Sequence, residues 1–530
     1  MSRGYFLPQS DRLKGRHRSY NHPIEGRYHF RRYSGDVGED ARFEAYRALT
    51  DELQGMIADA VARGQELRVQ GSEWSLSRVG LAKDRLVNSK LIRLLRLPIH
   101  DDDLATGYQG DGTKLRFFEC GESMSVVNRV LRRDGLSLKT SGSNDGQTLA
   151  GAVSTGTHGS AFGFGATPEF VVGLHVVAGP SKHVFLQRQS APVVKQQFAD
   201  KIRATFIESD ELFNAALVSF GSFGIIQGML IETRDLFVLH ATRFFHPFND
   251  GLKKAATNLD FSDIDFSLSK LPDDVARDRP HHFQLFFNPN EADRPTRASV
   301  LMMFEDDWDK YKDTYTTPDW DYGEPGPGAA ALDLIGSLFN VLPAGWSRDT
   351  FNAELEKQFH GFYEVAVLGD MFRGEKNEGK LQVTGTAVPR SRVLDALETV
   401  FQTYQAFVAA NGTILPLIVS CRFVKGTQAL LGFTKFDQTC TLELDTIYTP
   451  KSAKYLADVR GALDGAGIPF TVHWGKLDSY LTASRLRRIY GDDLERWLKS
   501  RRKLLESDEV CDVFTNKFMR RLGLDRLVGP

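Results

Sequence analysis

Between Ala150 and Gly165 the chain reads AGAVSTGTHGSAFGFG, five glycines among two serines, two threonines and one histidine. Ordering glycine costs backbone entropy, so such a cluster needs a use. Two readings fit: an exposed flexible loop, or a cradle in which main-chain N–H groups approach a ligand and Ser, Thr and His supply polar tips. No Gly-Lys-Ser/Thr follows, which removes a Walker phosphate loop. GFGATPEF starts like a dinucleotide fingerprint, but Phe170 stands where the helix should pack and Pro168 interrupts.

The same texture recurs in QGSEWS (70–75) and SFGSFGII (219–226), and it already begins at Ser141 with SGSNDGQTLAGAVSTGTHGS. Three glycine- and serine-rich turns, each after a predicted strand, suit one large polar ligand held by main-chain donors. Three ordinary turns are the alternative. Further on, TVHWGK (471–476) sets His473 and Lys476 beside Trp474. Such a pair can orient a substrate oxygen or an anion, or can be a core histidine next to an exposed lysine. Arg422, in the strand PLIVSCRF, fits a partner carboxylate more readily than a substrate.

These residues need a frame. Apolar residues at Tyr46, Leu49, Leu53, Met56, Ile57 and Ala60 predict a helix over 43–63, stopped by Gly64. ELRVQ predicts a strand at 67–69 and KLRFFEC another. Ser123–Arg133 has helical spacing, EFVVGLHVVAG reads as a buried strand, and LVSFGSFGIIQGMLIET as a strand broken by Gly221 and Gly224. From about residue 236 the long apolar or alternating runs FVLHATRFFHPF, HHFQLFFNPN and RASVLMMFED suit an antiparallel sheet. Helices are expected over 391–408, capped by Ser391, and over 453–463, with strands TILPLIVSCRF and TCTLELDTIYT between them. PDWDYGEPGPG and the apolar run after it, within 318–341, read as an insertion. The fold class is α+β.

Composition narrows the partners. At 530 residues the chain is long enough for more than one domain. A net charge of −2 gives no global field toward nucleic acid or membrane. No run approaches a membrane span, and no secretory signal opens the chain. Four cysteines without metal or C-x-x-C spacing favour a reducing compartment, so a cytoplasmic location is expected and no metal site. Arg12, Lys14, Arg16, Arg18, Arg27, Arg31 and Arg32 make the first forty residues basic: a solvated tail, or an arm for an acidic partner.

Taken together, the motifs resemble the vanillyl-alcohol-oxidase superfamily, nearest its sugar-lactone and alditol oxidase branch. GAVSTGTHGS is similar to its flavin-binding signature, RVQGSEWSLS to its R-V-x-G-S-G-H-S-x-S and VSFGSFGII to its S-x-G-A-L-G-V-V. CRFVKGTQALLGF is similar to its substrate strand, VHWGK to its H-W-G-K, and DVFTNKFMRRLG to its ending. The likeness covers about residues 40–525.

The resemblance implies a two-subdomain PCMH-type FAD-binding domain over 41–235 after a basic extension (1–40). A substrate-binding cap with a helix-covered antiparallel sheet follows over 236–495, and 496–530 returns to the FAD domain. It implies FAD contacts at Gly71, Ser72, Glu73, Trp74 and Ser75 in the pyrophosphate loop, and at Gly142 and Ser143 near flavin N5. Thr148, Gly151, Thr155, Gly156, Thr157, His158 and Gly159 would complete the flavin cradle, with Ile225 and Ile226 on the adenine side. Lys476, Arg422 and His473 would be catalytic. The implied reaction is hydride transfer from a hydroxyl-bearing carbon of a sugar lactone, polyol or similar alcohol to the flavin, with reoxidation by dioxygen giving hydrogen peroxide. A dehydrogenase using another acceptor and a flavin-binding protein without turnover are the alternatives. Small Gly142 resembles the oxidases. Four departures from the pattern stand out: Trp74 replaces the histidine that carries covalent FAD, so non-covalent FAD is expected. Glu73 replaces a glycine, Ser420 replaces the glutamate of E-x-R, and Thr471-Val472 replaces R-P.

Overall fold

The computed structural model describes residues 4–8, 12–14, 16, 20–31, 38–93, 96–316, 348–359, 361–374, 381–477 and 480–526. The expected insertion at 318–341 lies outside them. Helices and several sheets mix along the chain, as an α+β fold requires.

Two sheets carry the first half. One orders the strands Tyr5–Phe6, Gly26–Phe30, Arg85–Asn88 and Leu67–Gln70, the last three parallel. The basic N-terminal stretch therefore supplies strands, against the expectation of a solvated tail. Leu13, Tyr20 and Ile24 are buried with Leu81, Ala82 and Leu86, and burial of that apolar area holds the stretch down. The second sheet has six strands, with Val171–Val177 and Ile225–Glu232 at its centre. The helix Glu39–Arg63 lies beside them. It starts earlier than its apolar spacing predicts, with Glu39 and Asp40 favouring the positive end of its dipole, and ends at Gly64 in the left-handed conformation.

Two local expectations are corrected. Residues 217–220 are no strand. Ser209 caps the helix Asp210–Leu217 by accepting a bond from the Leu212 N–H, and acidic Asp210 and Glu211 fill its first turn. Only after Phe220, Gly221 and Gly224, all at positive φ, does the strand Ile225–Glu232 begin. Nor does Ser391 cap its helix. It lies in a tight turn, Arg390–Arg392, and the helix runs Val393–Asn411 to a left-handed Gly412.

The second half is dominated by one antiparallel sheet of eight strands. Its order is Phe362–Val367, Phe237–Pro247, Arg297–Asp307, His282–Phe287, Ile418–Lys425, Gln438–Ile447, Leu381–Pro389 and Thr471–Val472. Side chains alternate between faces with period two. Along Gln438–Ile447, Cys440, Leu442 and Leu444 share one face with Gln382 and Thr386 of the neighbouring strand. The helix Pro450–Gly465 covers that face, with Ser452 donating to Gln382 and Arg460 to Thr386. Thr441, Glu443 and Asp445 point the other way, toward the glycine-rich turns of the first half.

Chain segments far apart in sequence tie the halves together. The Leu76 N–H donates to the Gly475 carbonyl at 2.7 Å and Ser77 Oγ to the Trp474 carbonyl at 2.6 Å. Buried Arg68 donates to the carbonyls of Val79, Phe220 and Phe514, and Arg501 to that of Ser222. Such bonds remove the cost of burying a guanidinium among unpaired carbonyls. Among the described residues no helix is long and apolar enough to cross a membrane, and no cluster of His, Cys, Asp or Glu could hold a metal.

Candidate active site

The three glycine-rich turns and the HWGK segment open onto one cleft with about 1620 Å³ free of protein atoms, continuous with solvent. Gly71, Ser72, Glu73, Trp74, Ser75, Ser143, Thr148, Gly151, Thr155, Thr157, His158, Ile226, Arg422, His473 and Lys476 all line it. Gly142, Gly156, Gly159 and Ile225 do not. Gly156 forms a left-handed turn at φ +71°, and Gly159 sits so close to the Ser141 carbonyl that a Cβ would approach it to 2.1 Å. Ile225 faces away because its neighbour Ile226 faces in, as strand alternation requires.

At one end, the strand Leu67–Gln70 delivers the loop Gly71–Ser75. A Cβ on Gly71 would meet Thr148 Oγ1 at 2.1 Å, so only glycine lets this backbone lie against the second turn. Glu73 has φ +64°, a left-handed conformation that costs a side-chain-bearing residue about 1–2 kcal/mol. Its carboxylate is paired with Arg27 of the N-terminal sheet at 3.1 Å. Arg16 stacks over the Trp74 ring, 4.6 Å from its centroid.

At the other end stands a charge cluster that the motifs only half disclosed. Glu443 is fully buried. Its Oε2 lies 2.9 Å from Arg422, Oε1 lies 3.5 Å from His158 Nε2, and Lys476 donates to Oε1. Burial raises its pKa, but the adjacent Arg422 and Lys476 charges outweigh burial and hold it well below the usual carboxylate range. Two residues on, Asp445 is also buried, and neither carboxyl oxygen has a hydrogen-bond partner among the described residues. Burial and the Glu443 charge push it up to about 7. Burial drives His473 well below its normal value, with Lys476 adding to the shift. The Gly475 N–H donates to its Nδ1 at 3.0 Å, which leaves the proton of the neutral ring on Nε2. His158, His473 and Phe433 pack as a ring triad with centroids 5.0–5.7 Å apart.

Strand register explains the cluster. Ser420 lies directly opposite Glu443, and Arg422 opposite Thr441, on the same face. The position where the family pattern carries glutamate holds serine here, and the carboxylate comes instead from the facing residue of the next strand. On the third strand Gly385 pairs with Glu443. A Cβ at Gly385 would come within 2.9 Å of His473 Cβ and 3.3 Å of Lys476 Cδ, so this glycine leaves room for both and lets Lys476 reach across to Glu443. The usable sequence signal was the alternation CTLELD, which puts both acids on the face opposite its leucines.

The lining suits a dinucleotide. Asn144 Oδ1 and Gln147 Oε1 are buried, unpartnered among the described residues, and on the cleft wall, as acceptors awaiting a donor-bearing ligand would be.

Comparison with known proteins agrees. Residues 46–185 match the family described as FAD binding domain. A D-arabinono-1,4-lactone oxidase of Yarrowia lipolytica is 29% identical over 37% of this chain and 32% of its own length. One of Candida glabrata is 25% identical over 42% of this chain and 38% of its own. The matched part thus spans about a third of the length of these fungal relatives. An L-gulono-1,4-lactone dehydrogenase of Mycobacterium tuberculosis is 24% identical over 89% of this chain and 93% of its own. Residues 46–185 thus carry an FAD-binding domain, and the chain is similar to sugar-lactone oxidases and dehydrogenases.

Proposed function

We propose that the protein is an FAD-dependent oxidoreductase that oxidises a hydroxyl-bearing carbon of a sugar lactone or a related polyol. The reading rests on one observation above the rest: Arg422, Lys476 and His158, the last from a glycine-rich turn, converge on Glu443 in a cleft that the glycine-rich turns of an FAD-binding domain also line. FAD, when bound, supplies the redox chemistry by taking up a hydride from that carbon.

The chain's own residues handle charge and the proton. Gly71–Ser75, Ser143, Thr148 and the 151–158 turn hold the cofactor, without a covalent bond from Trp74. Arg422 and Lys476 stabilise the negative charge that grows on the substrate oxygen as its proton leaves, and beside the buried Arg422 and Glu443 fixed charges act strongly. Among the described residues the acids lining the cleft are Glu73, on the Gly71–Ser75 loop, and Glu443, on the sheet. Glu443, held ionised by its cations, is the proton acceptor at the substrate end. Neutral His473, with Nε2–H as donor, orients the substrate hydroxyl.

For reoxidation we propose dioxygen, on the ground that Gly142 puts no side chain behind Ser143. The breadth of the match to a dehydrogenase keeps a different acceptor as the second reading. The test is an anaerobic titration of the flavin-loaded protein with sugar lactones, polyols and aryl alcohols. Bleaching of the flavin is expected with a lactone or polyol, and peroxide should appear when air is admitted. No bleaching with any of them sinks the proposal. Bleaching without peroxide selects the second reading.

A further inference from the structure

The N-terminal segment contacts the cleft at the two loop positions that depart from the family pattern. Arg27, on the strand Gly26–Phe30, pairs with Glu73, and Arg16 lies over Trp74. Tyr20 is buried, and it lines the cleft itself. Arg27 and Glu73 side chains are only 13% and 17% exposed, so their charges are poorly screened by water. Arg27 Nε is buried with no hydrogen-bond partner among the described residues. Glu73 is held at φ +64°, where glycine would sit without strain. A strained position that nevertheless carries a charged side chain points to a use for that charge.

We propose that the N-terminal segment is a built-in part of the cofactor site. Tyr20 walls the end of the cleft formed by the Gly71–Ser75 loop, and Arg27 neutralises Glu73 so that this loop accepts the pyrophosphate of FAD. The inference rests on the FAD reading of the cleft. An unpaired carboxylate in that loop would repel a dianion. With Arg27 in place, the pair presents no net charge, and the loop's main-chain N–H groups are free to dominate. The ion pair also pins the loop to another strand of the sheet from which it emerges, a non-covalent substitute for the tether that Trp74 does not form. Burial, and then the nearby Glu73 charge, push the Tyr20 hydroxyl up to about 12. It therefore stays a neutral hydrogen-bonding wall across the working range.

Arg27 acts through Glu73 as a positioning residue, so its test must separate charge from structure. FAD and riboflavin affinities would be measured on apoprotein by fluorescence titration at low and high salt. Riboflavin lacks the pyrophosphate. Arg27→Ala is expected to weaken FAD binding by about tenfold to a hundredfold, more at low salt, with riboflavin affinity within about twofold of wild type. Glu73→Gln added to Arg27→Ala should restore most of the FAD affinity. Glu73→Gln alone, which keeps Arg27, should bind FAD about threefold more tightly than wild type. Unchanged FAD affinity in Arg27→Ala, equal losses for FAD and riboflavin, or failure of the double variant to recover overturns the proposal. If Arg27→Ala does not fold, Glu73→Gln alone decides, and an FAD affinity no tighter than wild type overturns it. Wild-type protein that binds no FAD defeats the FAD reading itself, whereas tight wild-type binding indifferent to Arg27 and Glu73 defeats this inference alone.

Discussion

The two ends of the cleft solve the same electrostatic problem by different means. At the loop end a carboxylate, Glu73, sits on a strained turn and is matched by one arginine that arrives from an N-terminal strand. At the sheet end a carboxylate, Glu443, sits on unstrained strand backbone. Two cations and a histidine surround it, delivered by register and by a glycine on the next strand. The first pair leaves no net charge. The second cluster leaves positive charge over the carboxylate, and beside it a second acid, Asp445, whose pKa is pushed up to about 7. On the proposed reading, a site that tolerates an anion and a site that moves a proton look alike in residue type and differ in stoichiometry.

The sharpest way to break this contrast is Glu443→Gln. If the sheet end moves a proton, flavin reduction by substrate should slow by about a hundredfold or more while FAD stays bound. A change under threefold would reduce Glu443 to a counter-ion. Next in size, Lys476→Met should slow reduction by about tenfold to a hundredfold and leave FAD affinity unaltered. Stopped-flow absorbance reads both, and unchanged reduction kinetics would remove Lys476 from the site.

Moving the carboxylate back across the strand pair sharpens the comparison further. Register partners on one face have Cβ atoms about 4.5–5.5 Å apart. Ser420→Glu combined with Glu443→Ser should therefore recover about tenfold of the rate that Glu443→Ser loses. No recovery would mean that Glu443 is needed at its own place and not merely on that face.

The smallest effect concerns stability. Asp445 has its folded pKa raised to about 7 by burial and by Glu443, above its unfolded value near 3.9. The folded state then binds more protons between those values, so this residue's contribution falls as pH rises from about 4 to about 7. Asp445→Asn should accordingly gain in Tm relative to wild type between pH 5 and pH 8, by a few degrees. A difference in Tm that does not change with pH would show that Asp445 is not protonated in the native protein. Glu443 has the opposite sign. Its folded pKa is depressed, so its contribution is present at neutral pH and lost as pH falls through the lowered value.

Much of this was legible in the chain as written. Periodicity located the helix ending at Arg63, the antiparallel strands beyond residue 236 and the helix before Gly412, because burial of one face imposes its spacing on the residues. The glycine turns and HWGK marked most of the cleft wall, because close main-chain approach restricts residue type locally, and their resemblance to known motifs implied the cofactor. Glu443 escaped because its partners are distant in sequence: Arg422 on one flanking strand, Lys476 beyond the other, and His158 in the first half of the chain. Sequence spacing carries no pairing register. The helix Asp210–Leu217 was missed for a local reason, since its cap, Ser209, stands upstream of the apolar stretch that looked like a strand.

The amino-acid sequence by itself determined the face each residue of a strand presents, which follows from short-range geometry, and, through the resemblance of its motifs, the cofactor class. It also marked Glu73 and Ser420 as departures. Only the tertiary structure decided what those departures mean. Arg27 came to Glu73 through a parallel strand pairing, and Glu443 came to the place beside Ser420 through antiparallel register. Charge balance is set by distance in space, and the chain fixes that distance only once its sheets are assembled.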